Sequence, residues 1–133
     1  GGQNHDGSQK DGFLKYNKGR IEAIYDIDTK KYVDINDIAA KCDAKLGNLP
    51  ASHNPWKAVI GNRKKDEFLA NYFNELKGMD NLGAKMAVDY VLKSKAIGDK
   101  LVADKVAYTP EDVNTVLLTG FFHAYGPINN FIN

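Results

Sequence analysis

The sequence predicts a mainly α-helical domain with an N-terminal β-hairpin, and three observations carry that prediction. From about residue 36 onward, apolar side chains recur at helical spacing on several successive segments. Near the N-terminus, two short β-branched and aromatic runs flank a polar turn. The composition, 43% hydrophobic with seven Tyr, six Phe and one Trp in 133 residues, supplies one core. A domain of this length removes roughly two-thirds of its unfolded surface from water, so a chain disordered throughout is excluded.

Residues 1–11 hold three glycines and no apolar side chain. Ordering them would cost backbone entropy with nothing to bury, so they read as a mobile leader, with Gly1-Gly2 as a cloning remnant. The rest, 12–133, reads as a single domain. Arg20–Ile27 and Lys31–Ile35 flank Asp28-Thr29-Lys30 and predict the hairpin, over about residues 20–35. Past Ile35 the period changes. Ile38, Ala39, Cys42 and Leu46 follow a candidate Asn36 N-cap, and Gly47 suits a left-handed C-terminal cap. Asn54-Pro55 before Trp56 reads as an N-cap and a Pro in the first turn of a short helix.

Between Lys65 and Lys77, the residues Phe68, Leu69, Tyr72, Phe73 and Leu76 share one face, and Gly78 stops the run. From about Ala84 to Lys105, Met86, Tyr90, Ile97 and Leu101 form one ridge, with Ala87, Val91, Gly98 and Val102 beside it. A wide buried face is expected there. Thr109-Pro110-Glu111-Asp112 then offers an N-cap, a Pro at the first helical position and an acid that can reach back, the chemistry of a capping box. Val113, Val116 and Leu117 are expected to face inward, Gly120 to end that helix, and Gly126-Pro127 to open a last helical segment.

Eighteen Lys and Arg against seventeen Asp and Glu give a net charge of +1. No bulk field draws in nucleic acid or an anionic membrane, and neither is expected as a partner. Apolar runs such as Val116-Leu117-Leu118 are far short of the roughly 20 residues a membrane span needs. A single cysteine provides no disulfide framework and no thiolate metal site, which points to the cytoplasm. The N-terminus has no apolar signal core and no initiator Met. With the abrupt end at Phe131-Ile132-Asn133, this reads as a piece of a larger protein.

Groups able to do chemistry are few. His5, His53 and His123 are too scattered to converge on a metal, so no metal ligand is assigned. His123, within Phe121-Phe122-His123-Ala124-Tyr125, is expected to pack its ring at a domain edge. Cys42 is expected in the core. Ser52-His53 has no third partner for a triad. The glycines form neither a dinucleotide fingerprint nor a phosphate loop, so no cofactor site and no catalytic residue are assigned. Arg63-Lys64-Lys65 reads as a solvated face or, alternatively, a phosphate contact. Trp56 reads as an anchor between loop and helices.

Residues 96–128, Ala-Ile-Gly-Asp-Lys-Leu-Val-Ala-Asp-Lys-Val-Ala-Tyr-Thr-Pro-Glu-Asp-Val-Asn-Thr-Val-Leu-Leu-Thr-Gly-Phe-Phe-His-Ala-Tyr-Gly-Pro-Ile, resemble the C-terminal domain of 3-hydroxyacyl-CoA dehydrogenases. That family carries Ser/Thr-Pro-Glu-Asp-Ile-Asp, a small-residue helix and Gly-Phe/Leu-Gly-x-x-x-Gly-Pro, matched here by Thr109 to Asp112, Gly120 and Gly126-Pro127. Gly7 to Tyr16 is more weakly similar to the Gly-Lys-Gly-Phe-Tyr-x-Tyr segment that closes one such domain before a further copy. The resemblance implies a helical bundle-like domain of the 6-phosphogluconate dehydrogenase C-terminal type, as the second copy in a longer enzyme.

Counting back from Glu111-Asp112, the family's Gly-Phe-x-x-Asn-Arg falls on Lys85-Met86-Ala87-Val88-Asp89-Tyr90. Asp89 replaces the Asn that assists at the substrate carbonyl, and Tyr90 the Arg. An ionised carboxylate accepts hydrogen bonds but cannot donate one to a developing oxyanion. The resemblance implies that NAD, the dinucleotide fingerprint and the catalytic groups belong to a Rossmann domain of the parent chain. This domain would support the acyl-CoA cleft and domain or subunit contacts, including homo-oligomer contacts, and be inactive alone. Asp89, Tyr90, Phe122, His123 and Tyr125 are its candidate substrate-binding or interface residues. The rings of Phe121, Phe122, Tyr125 and Phe131 are expected to share a partly exposed surface. A stand-alone helical interaction module and a small acyl-CoA-binding protein using Arg63 to Lys65 stay open as alternatives.

Overall fold

The computed structural model describes residues 3–8 and 10–132, which divide into two compact units, one up to Lys45 and one from Leu46. Gly1-Gly2, read as a remnant, lies outside the described residues. Within the leader, Asn4 to Ser8 close a turn in which the Ser8 N–H and O–H donate to Asp6 Oδ1 at 3.0 and 2.6 Å.

The first unit is built on three antiparallel strands in sequence order: β1 (Leu14–Asn17), β2 (Arg20–Asp26) and β3 (Lys31–Asp34). The hairpin expected at 20–35 is β2 and β3, where Tyr25 pairs with Tyr32 and their rings meet edge-on at 5.4 Å. Asp26 closes its turn, accepting from Asp28 N–H and Thr29 O–H at 3.0 and 2.8 Å. These bonds, that from Thr29 first, hold the Asp26 carboxyl below the usual carboxylate range.

The additional strand, β1, arises from Lys18 and Gly19, whose φ values of 47° and 79° match the primed two-residue turn that suits a strand pair's twist. Register slips between Lys15 and Tyr16, leaving Glu22 as a bulge residue on β2. Two strands alone are marginal in water, and the third gives Ala23, the buried residue of the sheet, a second neighbouring strand.

Helix α1 runs over Ile35–Leu46. Its first turn is held by Asp34, whose Oδ1 accepts from Asn36 N–H at 2.8 Å, so the cap lies two residues before the expected Asn36. Gly47 has φ +87°, the left-handed cap expected of it. Cys42, expected in the core, is exposed instead.

The second unit holds α2 (Trp56–Ile60), α3 (Lys65–Gly78), α4 (Leu82–Ala103), α5 (Pro110–Thr115) and a π-helical turn, Val116–Gly120. Helix α2 starts one residue after the expected position, with Pro55 as its N-cap and no side-chain cap. Helix α3 buries Leu69, Tyr72, Phe73 and Leu76, the stripe its spacing predicts. Phe73, 1% exposed, is the centre of the core. Its ring meets Tyr72 and Tyr125 edge-on at 5.3 and 5.1 Å and stacks near Phe131 at 5.8 Å.

On α4 the expected ridge faces outward, with Met86, Tyr90 and Ile97 each more than half exposed. The buried side is Ala84, Val91 and Gly98, the last two from the row expected beside that ridge. At Gly98 an added Cβ would lie 2.7 Å from Ile128 Cγ1.

Helix α5 opens with the expected capping box. Thr109 Oγ1 accepts from Asp112 N–H at 3.2 Å, and Asp112 Oδ2 accepts from Thr109 N–H at 2.9 Å. Thr109→Ala is expected to cost about 1 kcal/mol. Urea denaturation checks it, and an unchanged midpoint at unchanged slope would place the start of α5 elsewhere.

Among the described residues, no helix forms after Gly126-Pro127. Asparagine side chains take the backbone groups a helix would have paired: Asn114 Nδ2 donates to Ile128 O at 2.9 Å, and Asn114 Oδ1 accepts from Ile128 N–H at 3.0 Å. Asn129 bonds Gly126 O and Phe131 N–H in the same way. Among the described residues, no helix is long and apolar enough to cross a membrane.

Candidate functional site

Within the second unit, the outward face of α4, the π turn and the segment after it enclose a cleft of about 280 Å³. Tyr90, Val91 and Ser94 come from α4 and Leu117 from the π turn. Phe122, His123, Ala124, Tyr125 and Pro127 follow, and Trp56 closes the wall from α2. Thus Tyr90, Phe122, His123 and Tyr125, four of the five candidates, line one cleft. Asp89 does not. It is exposed on α4 and pairs with Lys93 Nζ at 2.7 Å, an exposed (i, i+4) pair that adds little stability.

The segment is shaped by local strain. The His123 N–H reaches back to Leu117 O at 3.1 Å, and the Thr119 hydroxyl donates to Thr115 O at 2.7 Å. Phe122 sits at φ +55° with its ring 72% exposed. A left-handed backbone on a bulky residue stores about 1–3 kcal/mol and clusters, as π turns do, at functional sites. Between the lining residues Tyr125 and Pro127 the chain is held tightly: a Cβ on Gly126 would overlap Asn114, which is itself clamped to Ile128.

The four rings expected on one exposed surface divide. Phe121 and Phe122 are exposed at 66% and 72%, whereas Tyr125 and Phe131 pack on Phe73. Burial first, then Tyr90 and Tyr72, pushes the Tyr125 phenol above its ordinary value.

The lining side chains carry five hydrogen-bonding groups: Trp56 Nε1, the Tyr90, Ser94 and Tyr125 hydroxyls and the His123 ring. None has a hydrogen-bond partner among the described residues. No Asp, Glu, Lys or Arg lines the cleft. Ser94 was legible in principle, one helical turn after Tyr90, whereas Trp56 reaches the wall only through tertiary packing. Beyond Ser94, Leu117 and Pro127 the cleft continues into an open apolar trough of about 530 Å³ between α4 and α5. Its far end carries Val106 and Tyr108, 72% and 93% exposed.

Elsewhere, the Ser52 hydroxyl and the Ala51 and Ser52 N–H groups all donate to the Glu75 carboxylate. The Ser52 hydroxyl leads these bonds in holding the Glu75 carboxyl below its usual range. His53 stands beside Trp56 and Tyr72, its Nδ1 buried without a partner. Arg63 and Lys64 are exposed and, like Lys65, line neither cleft nor trough. Among the described residues, no three His, Cys, Asp or Glu side chains converge as a metal site. Comparison with family models, with curated proteins and with solved structures finds no match to this chain.

Proposed function

We propose that this chain is the C-terminal domain of a 3-hydroxyacyl-CoA dehydrogenase, a non-catalytic support for the acyl-CoA cleft and for domain or subunit contacts. One observation supports the reading: the segment that carries the resemblance, residues 96–128, also supplies Leu117, Phe122, His123, Ala124, Tyr125 and Pro127 to the cleft. The capping box at Thr109 starts α5, the chain after Gly120 supplies Phe122, His123 and Tyr125, and Gly126-Pro127 closes against Asn114. Tyr90, standing where the family has Arg, faces them across the cleft.

The parent enzyme would oxidise a 3-hydroxyacyl-CoA to the 3-oxoacyl-CoA with NAD. That chemistry would belong to its Rossmann domain, the partner of this one. Asp89, paired with Lys93, offers no N–H to an oxyanion. The chain alone is therefore expected to give no NADH signal with 3-hydroxyacyl-CoA and NAD in a steady-state assay at high protein concentration. Turnover that copurifies with the chain would overturn the reading. The apolar trough favours a second reading, a helical interaction module, since contiguous exposed apolar surface of this kind tends to be covered by a partner.

A further inference from the structure

We propose that the cleft between Trp56, Tyr90, His123 and Tyr125 is a binding site for one uncharged, planar heteroaromatic ring with hydrogen-bonding edges, a purine base being the representative ligand. The inference rests on the cleft alone and stands whether or not the dehydrogenase reading holds.

Size limits the ligand first. About 280 Å³ lies just below the usual range of small-molecule pockets, roughly 300–1,000 Å³, so the cleft suits a ring system rather than an extended chain. The walls select shape. Trp56 and Tyr125 meet edge-on, 6.2 Å apart with an interplanar angle of 68°, so a flat ring stacked on one is bounded by the other. Stacking of a base on such a side chain contributes about 1–3 kcal/mol.

Charge and hydrogen bonding select chemistry. With no Asp, Glu, Lys or Arg on the lining, an ionic ligand would leave water without a countercharge. A purely apolar ligand would displace water from five hydrogen-bonding groups and give none of them a partner. A quaternary ammonium would gain from the aromatic faces but leave the same groups idle. A heteroaromatic ring answers both demands, a face for one of Trp56 and Tyr125 with the other against its edge, and its ring nitrogens and amino group for Tyr90, Ser94 and His123. Phe122 on the lining is held in a left-handed backbone, and Gly126, between the lining residues Tyr125 and Pro127, is clamped against Asn114, so little ordering is left for binding to supply.

Trp56 is the only tryptophan, so its fluorescence reports the cleft directly. Adenosine is the probe, titrated into the full chain with calorimetry in parallel. Saturable quenching is expected, with AMP binding no more tightly than adenosine and choline not competing. Tyr90→Phe should weaken binding about 3- to 10-fold, the loss of one hydrogen bond. His123→Ala should weaken it by about tenfold or more. Asp89→Asn, outside the cleft, should leave affinity unchanged. Circular dichroism of each variant distinguishes lost binding from lost folding, and the exposed positions of Tyr90 and His123 favour intact folds. The proposal is overturned by the absence of saturable binding at millimolar adenosine in both measurements. It is equally overturned by unchanged affinity in folded Tyr90→Phe and His123→Ala, by tighter binding of AMP, or by choline binding in preference.

Discussion

Gly126→Ala is expected to destabilise the second unit by about 3–5 kcal/mol, the sum of overpacking and lost buried hydrogen bonds. Its Cβ would overlap the Cβ, Cγ and Oδ1 of Asn114. Asn114 cannot yield cheaply, because its amide holds both the N–H and the C=O of Ile128, at 3.0 and 2.9 Å. Either the side chain swings away and leaves two partly buried backbone groups unpaired, or the chain at 126–128 moves off α5. Trp56 fluorescence in urea measures the loss. A coupling test isolates the cause: Asn114→Ala removes the overlapping atoms, so the double variant should be distinctly more stable than the two single losses predict. Gly120→Ala, where an added Cβ meets nothing within 4 Å, should change little. A Gly126→Ala midpoint matching the parent chain would mean that the wall of the cleft is soft, and would remove the preorganisation argued for it.

A loss of similar size, about 3–5 kcal/mol, is expected for Phe73→Ala. Phe73 is 1% exposed and joins α3 to the C-terminal segment through Tyr125 and Phe131. Truncation leaves a cavity lined by rings that collapse poorly, since each is already held by another: Tyr72 by Trp56 at 5.3 Å, and Tyr125 by Trp56 and Phe131. Phe73→Leu keeps much of the volume and should cost less than half as much. The same urea titration reports both. Loss of the near-ultraviolet aromatic signal before the helical signal in Phe73→Ala would show that this ring orders the cluster. A loss under 1 kcal/mol, well below the usual range for a buried Phe truncation, would contradict its place at the core's centre.

Local chemistry made several elements legible. The stripe of α3, the capping box of α5, the left-handed Gly47 and the polar turn at Asp28 to Lys30 depend on residues within a few positions of one another, so spacing and side-chain type suffice. Strand β1 was missed although Lys18-Gly19 marks its turn, because the run Leu14–Asn17 is short and half polar. The helix expected after Gly126-Pro127 failed for a non-local reason, as Asn114, fourteen residues before Ile128, takes the Ile128 carbonyl that a first turn would have used and holds its N–H as well.

By itself the sequence determined a mainly helical chain with antiparallel strands at its N-terminus, where the helices of the second unit lie to within a few residues, and which aromatic residues follow Gly120. Only tertiary structure decided which face of α4 is covered. Periodicity predicts a wide buried face that takes in both the ridge of Met86, Tyr90, Ile97 and Leu101 and the row of Ala87, Val91, Gly98 and Val102 beside it. The chain instead buries Ala84, Val91 and Gly98, and at Gly98 the side chains of Ile128 and Val113 fill the space a side chain would have taken. That choice turns Tyr90 outward, and the fold brings it beside Phe122, His123 and Tyr125 while leaving its neighbour Asp89 with Lys93. A cleft that joins residues 90 and 94 of one helix to residues 56 and 123 has no period that spans it. Its existence follows from where the chain crosses itself, which depends on the close packing of side chains far apart in sequence.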